Sequence, residues 1–263
     1  MFGRLLLVIA GLIVGPLSLA HAEDEFFDSA GVKIRYTVAG KGEPIVLIHG
    51  FSANLEMAWQ QLPKLFGQPE ILQALAKDYQ VIALDCRGHG KSDKPEDPKA
   101  YGRELAEDVV RLLDHLKVKK AHLVGYSMGG KIALKVAADH PDRVLTATLG
   151  GSAGVQADDD LSRYDSRAAK DEKDGKKVLA AVSRSYQALA VSTEQLQANK
   201  VPVMALYGSK ESEQVIRDIQ KLEKRLTKVQ VVVIEGATHL NAPGRPEFLK
   251  SLKAFLDQKR SEK

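Results

Sequence analysis

The sequence predicts an α/β protein whose mostly parallel, doubly wound sheet carries a short polar helical cap. Three observations predict it. Short runs rich in Val, Ile and Leu alternate with amphipathic stretches nearly to the C-terminus, and parallel strands need a crossover, usually a helix, to return the chain. One stretch, 152–198, breaks that alternation with Asp158-Asp159-Asp160 and Lys170-Asp171-Glu172-Lys173-Asp174 among scattered apolar positions. At 263 residues and 44% hydrophobic content, the chain can bury one large core of this kind.

Taken in order, the first 22 residues stand apart. Arg4 precedes the apolar run from Leu5 to Val14, then come Pro16 and the small-residue pattern Ala20-His21-Ala22. This is the pattern of a secretory signal peptide cut after Ala22. The run is shorter than the roughly 18 residues that a membrane-spanning helix needs, and Glu23-Asp24-Glu25 follow at once. The expectation is export to the periplasm or medium with no stable membrane insertion after cleavage; the alternative is an uncleaved N-terminal anchor. Residues 23–263 then form one domain, with a core at 25–151 and 199–258 and a cap insertion at 152–198. The single cysteine, Cys86, permits no internal disulfide and reads as a small buried apolar residue.

Strands are predicted at 34–38, 45–48, 81–84, 122–124, 144–149, 203–206 and 231–234, and helices at 71–77, 101–116, 128–140, 213–226 and 246–258. Within the insertion, Leu161, Tyr164, Val178, Leu179, Val182, Tyr186 and Leu189 recur at roughly helical spacing, giving a lid with an apolar inner face and charged residues turned to water. The formal charge of +4, from 38 basic and 34 acidic residues, is spread along the chain and gives no footprint for nucleic acid. The basic clusters at 221–228 and 250–263 read as solvated helix faces.

The chemistry concentrates at Leu123-Val124-Gly125-Tyr126-Ser127-Met128-Gly129-Gly130, where one hydroxyl sits between glycines, after a strand and before a helix. That context is what a nucleophile elbow requires: a side chain at 125 or 129 would strike neighbouring backbone, and the serine stands clear on a strained turn. The N–H of Met128 then points where an oxyanion forms, at the positive end of a helix. A serine nucleophile also needs a base, an orienting acid and a second oxyanion donor. Among seven histidines, His21 leaves with the signal, His115 and His140 sit on helices, His122 in a strand and His89 in a turn. His239, in the loop between the last strand and last helix, opens on the same sheet edge as the elbow, and we read it as the general base. The second donor is the Phe51 N–H, after the run 45–48, with His49 holding that loop. Gly90-Lys91-Ser92 is not a phosphate loop, because position 85, where such a loop needs glycine, is Asp85; the turn reads as structural, with Arg87 and Asp93 tying down loops.

Together, His49-Gly50-Phe51, Asp85-Cys86-Arg87-Gly88-His89-Gly90-Lys91-Ser92, Gly125-Tyr126-Ser127-Met128-Gly129-Gly130, Tyr207-Gly208-Ser209-Lys210-Glu211 and Gly236-Ala237-Thr238-His239 resemble the α/β-hydrolase superfamily over about residues 25 to 258. The resemblance implies a variable cap where the polar insertion lies and a triad in the order serine, acid, histidine. The family usually has aspartate three residues after the glycine of the 207–208 turn; here Glu211 stands there. Glu211 is taken as the acid, with Glu213 and Asp158 as competitors.

The expected activity is hydrolysis of a carboxylic ester of a small-molecule acyl substrate through an acyl-enzyme. Phe51, Trp59 and Tyr126 are candidates for an apolar substrate pocket, and no basic clamp for an acidic substrate is evident. Similar dehalogenases and epoxide hydrolases carry aspartate at the elbow, so Ser127 disfavours those reactions. The alternatives are hydrolysis of a carbon–carbon bond on the same fold, and a binding module without turnover. No metal-ligand spacing or cofactor motif appears.

Overall fold

The structure, a computed structural model, describes residues 23–260. Residues 1–22, where a signal peptide is expected, lie outside the described residues. Eight strands form one sheet in the order β1-β2-β4-β3-β5-β6-β9-β10, with β1 at Glu25–Asp28, β2 at Lys33–Ala39, β3 at Pro44–Ile48, β4 at Gln80–Leu84, β5 at Ala121–Tyr126, β6 at Val144–Gly150, β9 at Val203–Gly208 and β10 at Val229–Ile234. From β4 through β10 every pairing is parallel; β1 and β2 pair antiparallel at one edge.

Both faces of the sheet are buried, which is why its strands read as unbroken apolar runs. Period-two alternation divides β3 between them: Val46 and Ile48 join one core, Ile45 and Leu47 the other. The first core receives Val109 and Leu113 from α3 (Arg103–His115), Ile132 and Val136 from α4 (Met128–Asp139), and Ile219 and Leu222 from α8 (Glu213–Arg225). The second receives Ile71 and Leu75 from α2 (Ile71–Leu75), which follows the one-turn α1 (Leu62–Leu65), and Phe248, Leu252 and Phe255 from α9 (Pro246–Gln258). Each predicted strand and helix is present, with ends displaced by a few residues. Strand β1 was not predicted: Glu25-Phe26-Phe27-Asp28 buries only Phe27, so it carries too little apolar alternation to register.

Between β6 and β9 the chain leaves the sheet. A two-residue parallel ladder of β7 (Val155–Gln156) with β8 (Ala190–Val191) closes the neck of this excursion. Inside it lie α5 (Ser162–Lys173) and α6 (Lys177–Arg184), and after it α7 (Thr193–Ala198), started by a capping box between Ser192 and Gln195. Tyr164, Val182, Tyr186 and Leu189 are buried against the core, and Leu161 and Val178 pack against it, while Leu179 is half-buried. The expectation that the charged residues here all face water fails. Arg163, half-buried, and Arg167, still exposed, lie four residues apart on the side of α5 that lines the cavity over Ser127, because a 3.6-residue period puts positions three and four apart on one side. Among the described residues, no helix is long and apolar enough to cross a membrane.

Candidate active site

Ser127 sits between the last residue of β5 and the first of α4, with φ 55° and ψ −107°. For a non-glycine residue this is a strained backbone, held here by the Ser127 N–H donating to the Gly150 carbonyl at 2.7 Å. The flanking glycines are required by contact: a Cβ on Gly125 would lie 2.0 Å from the Gly129 carbonyl oxygen, and one on Gly129 would lie 2.0 Å from that of Ile48. Helix α4 therefore starts directly over the end of β3. That closeness sets Ser127 at the carboxyl edge of the sheet beside the loop after β3, where a Cβ on Gly50 would touch the serine Cβ at 3.4 Å.

His239 reaches the same edge from the loop after β10. Ser127 Oγ donates to His239 Nε2 at 3.0 Å, and His239 Nδ1 donates to Glu211 Oε2 at 2.8 Å. A carboxylate only accepts, so the proton belongs on Nδ1 and the free lone pair on Nε2 faces the serine. Glu211 follows β9, and its side chain is 3% exposed. Its second oxygen accepts from the Ser212 N–H at 3.2 Å. The competing acids lie elsewhere. Glu213 is 91% exposed and pairs with Arg217, and Asp158 binds Arg225 and Lys221, which hold its carboxyl well below the usual range.

The donors named for the oxyanion occupy the two loops that meet at Ser127. Met128 opens α4, fully buried, and Phe51 follows Gly50, its ring packed against the core. His49 holds this loop through both ring nitrogens: Nδ1 donates to the Gly50 carbonyl at 2.7 Å, and Nε2 accepts from the Cys86 N–H at 3.0 Å. Its burial pushes its pKa down, keeping the ring neutral. In the neighbouring turn, Arg87 binds Asp108 at 2.5 and 2.6 Å, and Asp93 accepts from the Lys33 N–H at 2.8 Å.

Two residues expected to line a substrate pocket do other work. Trp59 is wholly buried in the second core with Leu55 and Leu47, because the short helical segment carrying it, Met57–Gln61, packs on that face of the sheet. Tyr126 points under the histidine, its ring centroid 5.4 Å from that of His239 and its hydroxyl donating to the His239 carbonyl. It supports the His239 ring from below. Phe51 is covered by the Arg167 guanidinium, 5.1 Å from the ring centroid.

The cavity over Ser127 and His239 measures about 260 Å³ and is polar, not apolar. The expectation that no basic clamp is present is corrected here: Lys131, Arg163 and Arg167 all face this cavity. Lys131 had a sequence signal that went unread. It lies one turn after Ser127 in a helix whose neighbouring positions, Ile132, Ala133 and Leu134, are fully apolar, so a cation there is buried with its helix. Arg163 and Arg167 were hidden within a segment charged on every side.

Residues 43–184 match the sequence profile of the alpha/beta hydrolase fold family. The chain belongs to that family. Among curated proteins it is 47% identical over 118 residues to the dihydrolipoyllysine-residue acetyltransferase component of the acetoin cleaving system of Pseudomonas putida, an alignment covering 43% of this chain and 28% of that one. It is 39% identical over 128 residues to the 2-hydroxymuconate semialdehyde hydrolase of Pseudomonas sp. CF600, covering 48% of this chain and 42% of that one. The chain thus matches less than half the length of these relatives. Among solved structures, a carboxylesterase of the thaumarchaeon Nitrososphaera gargenis superposes with a TM-score of 0.76 over 89% of this chain and 98% of that one. At 20% identity, that likeness is one of fold.

Proposed function

We propose that this hydrolase-family protein cleaves carboxylic esters through an acyl-enzyme on Ser127. The observation that carries the reading is the unbroken chain from Ser127 Oγ to His239 Nε2 at 3.0 Å and from His239 Nδ1 to Glu211 at 2.8 Å. Ser127 attacks the acyl carbonyl as His239 takes its proton, and the Phe51 and Met128 amides receive the charge on oxygen. His239 then protonates the leaving alcohol, and a water activated by the same ring releases the acid. Glu211 keeps Nδ1 protonated and stabilises the imidazolium formed in each half-reaction.

Carbon–carbon bond hydrolysis is the second reading, favoured by the 39% identity to a semialdehyde hydrolase. The N-terminal segment 1–22 is proposed to direct export. Turnover of p-nitrophenyl esters of graded acyl length, with Ser127→Ala alongside, tests the main reading. Ser127-dependent release of nitrophenol is expected. Equal rates from the native protein and the variant overturn it.

A further inference from the structure

The cavity above the serine brings together more positive charge than its own carboxylates answer. Among the described residues, Asp218 is the one acid lining it besides Glu211, and it is already engaged: Arg163 donates to it at 2.9 Å and Gln214 at 2.7 Å. Glu211 is engaged with His239. Among the described residues, no carboxylate lies within ion-pair distance of Lys131 or Arg167.

Lys131 is only 9% exposed. Its Nζ lies 5.5 Å from the Tyr164 ring centroid and 5.4 Å from that of Tyr186, cation–π contacts that stop short of a counter-ion. A buried ammonium without one is expensive, and two guanidinium groups facing the same cavity add repulsion. Burial, with Arg163 and Arg167 adding to it, holds the Lys131 pKa below its ordinary value, against the opposing pull of the Tyr164 hydroxyl. An anion entering the cavity supplies the missing counter-charge to Lys131 and offsets the repulsion from the guanidinium groups. The placement is also specific, since Lys131 lies in the first turn of α4, four residues after Ser127, and both side chains line the same cavity. A substrate whose carbonyl meets Ser127 therefore extends into the cavity that Lys131 lines.

We propose, resting on the serine-hydrolase reading above, that the substrate is an acyl compound bearing a second, free carboxylate, held by Lys131 and Arg167 while Ser127 attacks the ester carbonyl. The class is the monoester of a dicarboxylic acid. The ester C–O bond breaks as the bond to Ser127 Oγ forms, water then displaces the serine, and the products are the dicarboxylate and an alcohol. Arg163, tied to Asp218, shapes the positive wall without supplying a free charge.

The test compares methyl hemiesters of the series from succinic to suberic acid with the corresponding dimethyl esters, by pH-stat, together with fluorophosphonate labelling of the native protein and Ser127→Ala. In the native protein, the best hemiester is expected to exceed its dimethyl ester in kcat/KM by roughly tenfold or more, as a charge-assisted contact implies. Lys131→Met and Arg167→Gln are each expected to pull that ratio down, to within about threefold when combined. Arg167 is exposed, so its variant reports even where the buried lysine variant fails to fold. Ser127-dependent labelling with dimethyl esters preferred overturns the anionic substrate and leaves the hydrolase reading intact. So does an equal loss on both ester types in Lys131→Met. Neither labelling nor turnover overturns both.

Discussion

Replacing Glu211 with glutamine tests the role given to the least expected member of the proposed triad. The perturbation removes one negative charge and keeps the side-chain length. The carboxylate lies 2.8 Å from His239 Nδ1 and is 3% exposed. When the ring is protonated in the transition state, two opposite charges therefore stand roughly 4 Å apart between centres. At an effective dielectric of about 20, that attraction amounts to about 4 kcal/mol. Converted to a barrier, it is roughly a thousandfold in kcat. The amide can also present its NH₂ to Nδ1, which favours the wrong tautomer and adds to the loss. The assay is kcat on the best p-nitrophenyl ester, with circular dichroism to verify folding. Glu213→Gln and Asp158→Asn serve as comparisons, since both carboxylates pair with surface cations away from the ring, and each is expected to change kcat by less than about twofold. A loss below about tenfold in Glu211→Gln, or a comparable loss in Glu213→Gln, refutes the assignment.

Two further outcomes follow from packing and burial. Gly129→Ala places a Cβ 2.0 Å from the Ile48 carbonyl oxygen, so α4 and β3 must separate; a loss of about 1–3 kcal/mol in urea unfolding is expected, and unchanged stability contradicts the close approach. His89 is 3% exposed with its pKa pushed down to about 4 by burial and by neighbouring His49, so the folded protein holds it neutral where the unfolded chain binds a proton. Its contribution is complete above the ordinary histidine pKa of about 6.5 and is lost as pH falls from there towards 4, roughly 3 kcal/mol in all. His89→Gln should flatten the stability profile across that window, and an unchanged slope contradicts it.

The sheet was legible because burial on both faces forces strands such as Ile45-Val46-Leu47-Ile48 to be apolar throughout, and because glycine at 125 and 129 is demanded by backbone contacts that no other residue satisfies. Ser127 and His239 could be picked out because the fold sends two loops to one edge. Glu211, Glu213 and Asp158 could not be separated by sequence, since what distinguishes them is exposure and partners: one buried against the ring, two bound to surface cations. The cap read correctly in its inner face, at Tyr164, Val182, Tyr186 and Leu189. It read wrongly in its charges, because Arg163 and Arg167 are indistinguishable in composition from solvated neighbours until helix phase and the Phe51 ring are known. Trp59 misled for a similar reason. A large aromatic near an oxyanion loop suits a pocket or a core equally, and only the face of the sheet on which its turn packs decides.

The most direct measurement is the mass and position of the adduct formed with a neutral fluorophosphonate. A single phosphonyl group on the peptide containing Ser127, absent in Ser127→Ala and slowed sharply in His239→Ala, is the expected result. A protein that stays unmodified, or an adduct that forms at another residue or at the same rate without His239, contradicts the nucleophile and base proposed here.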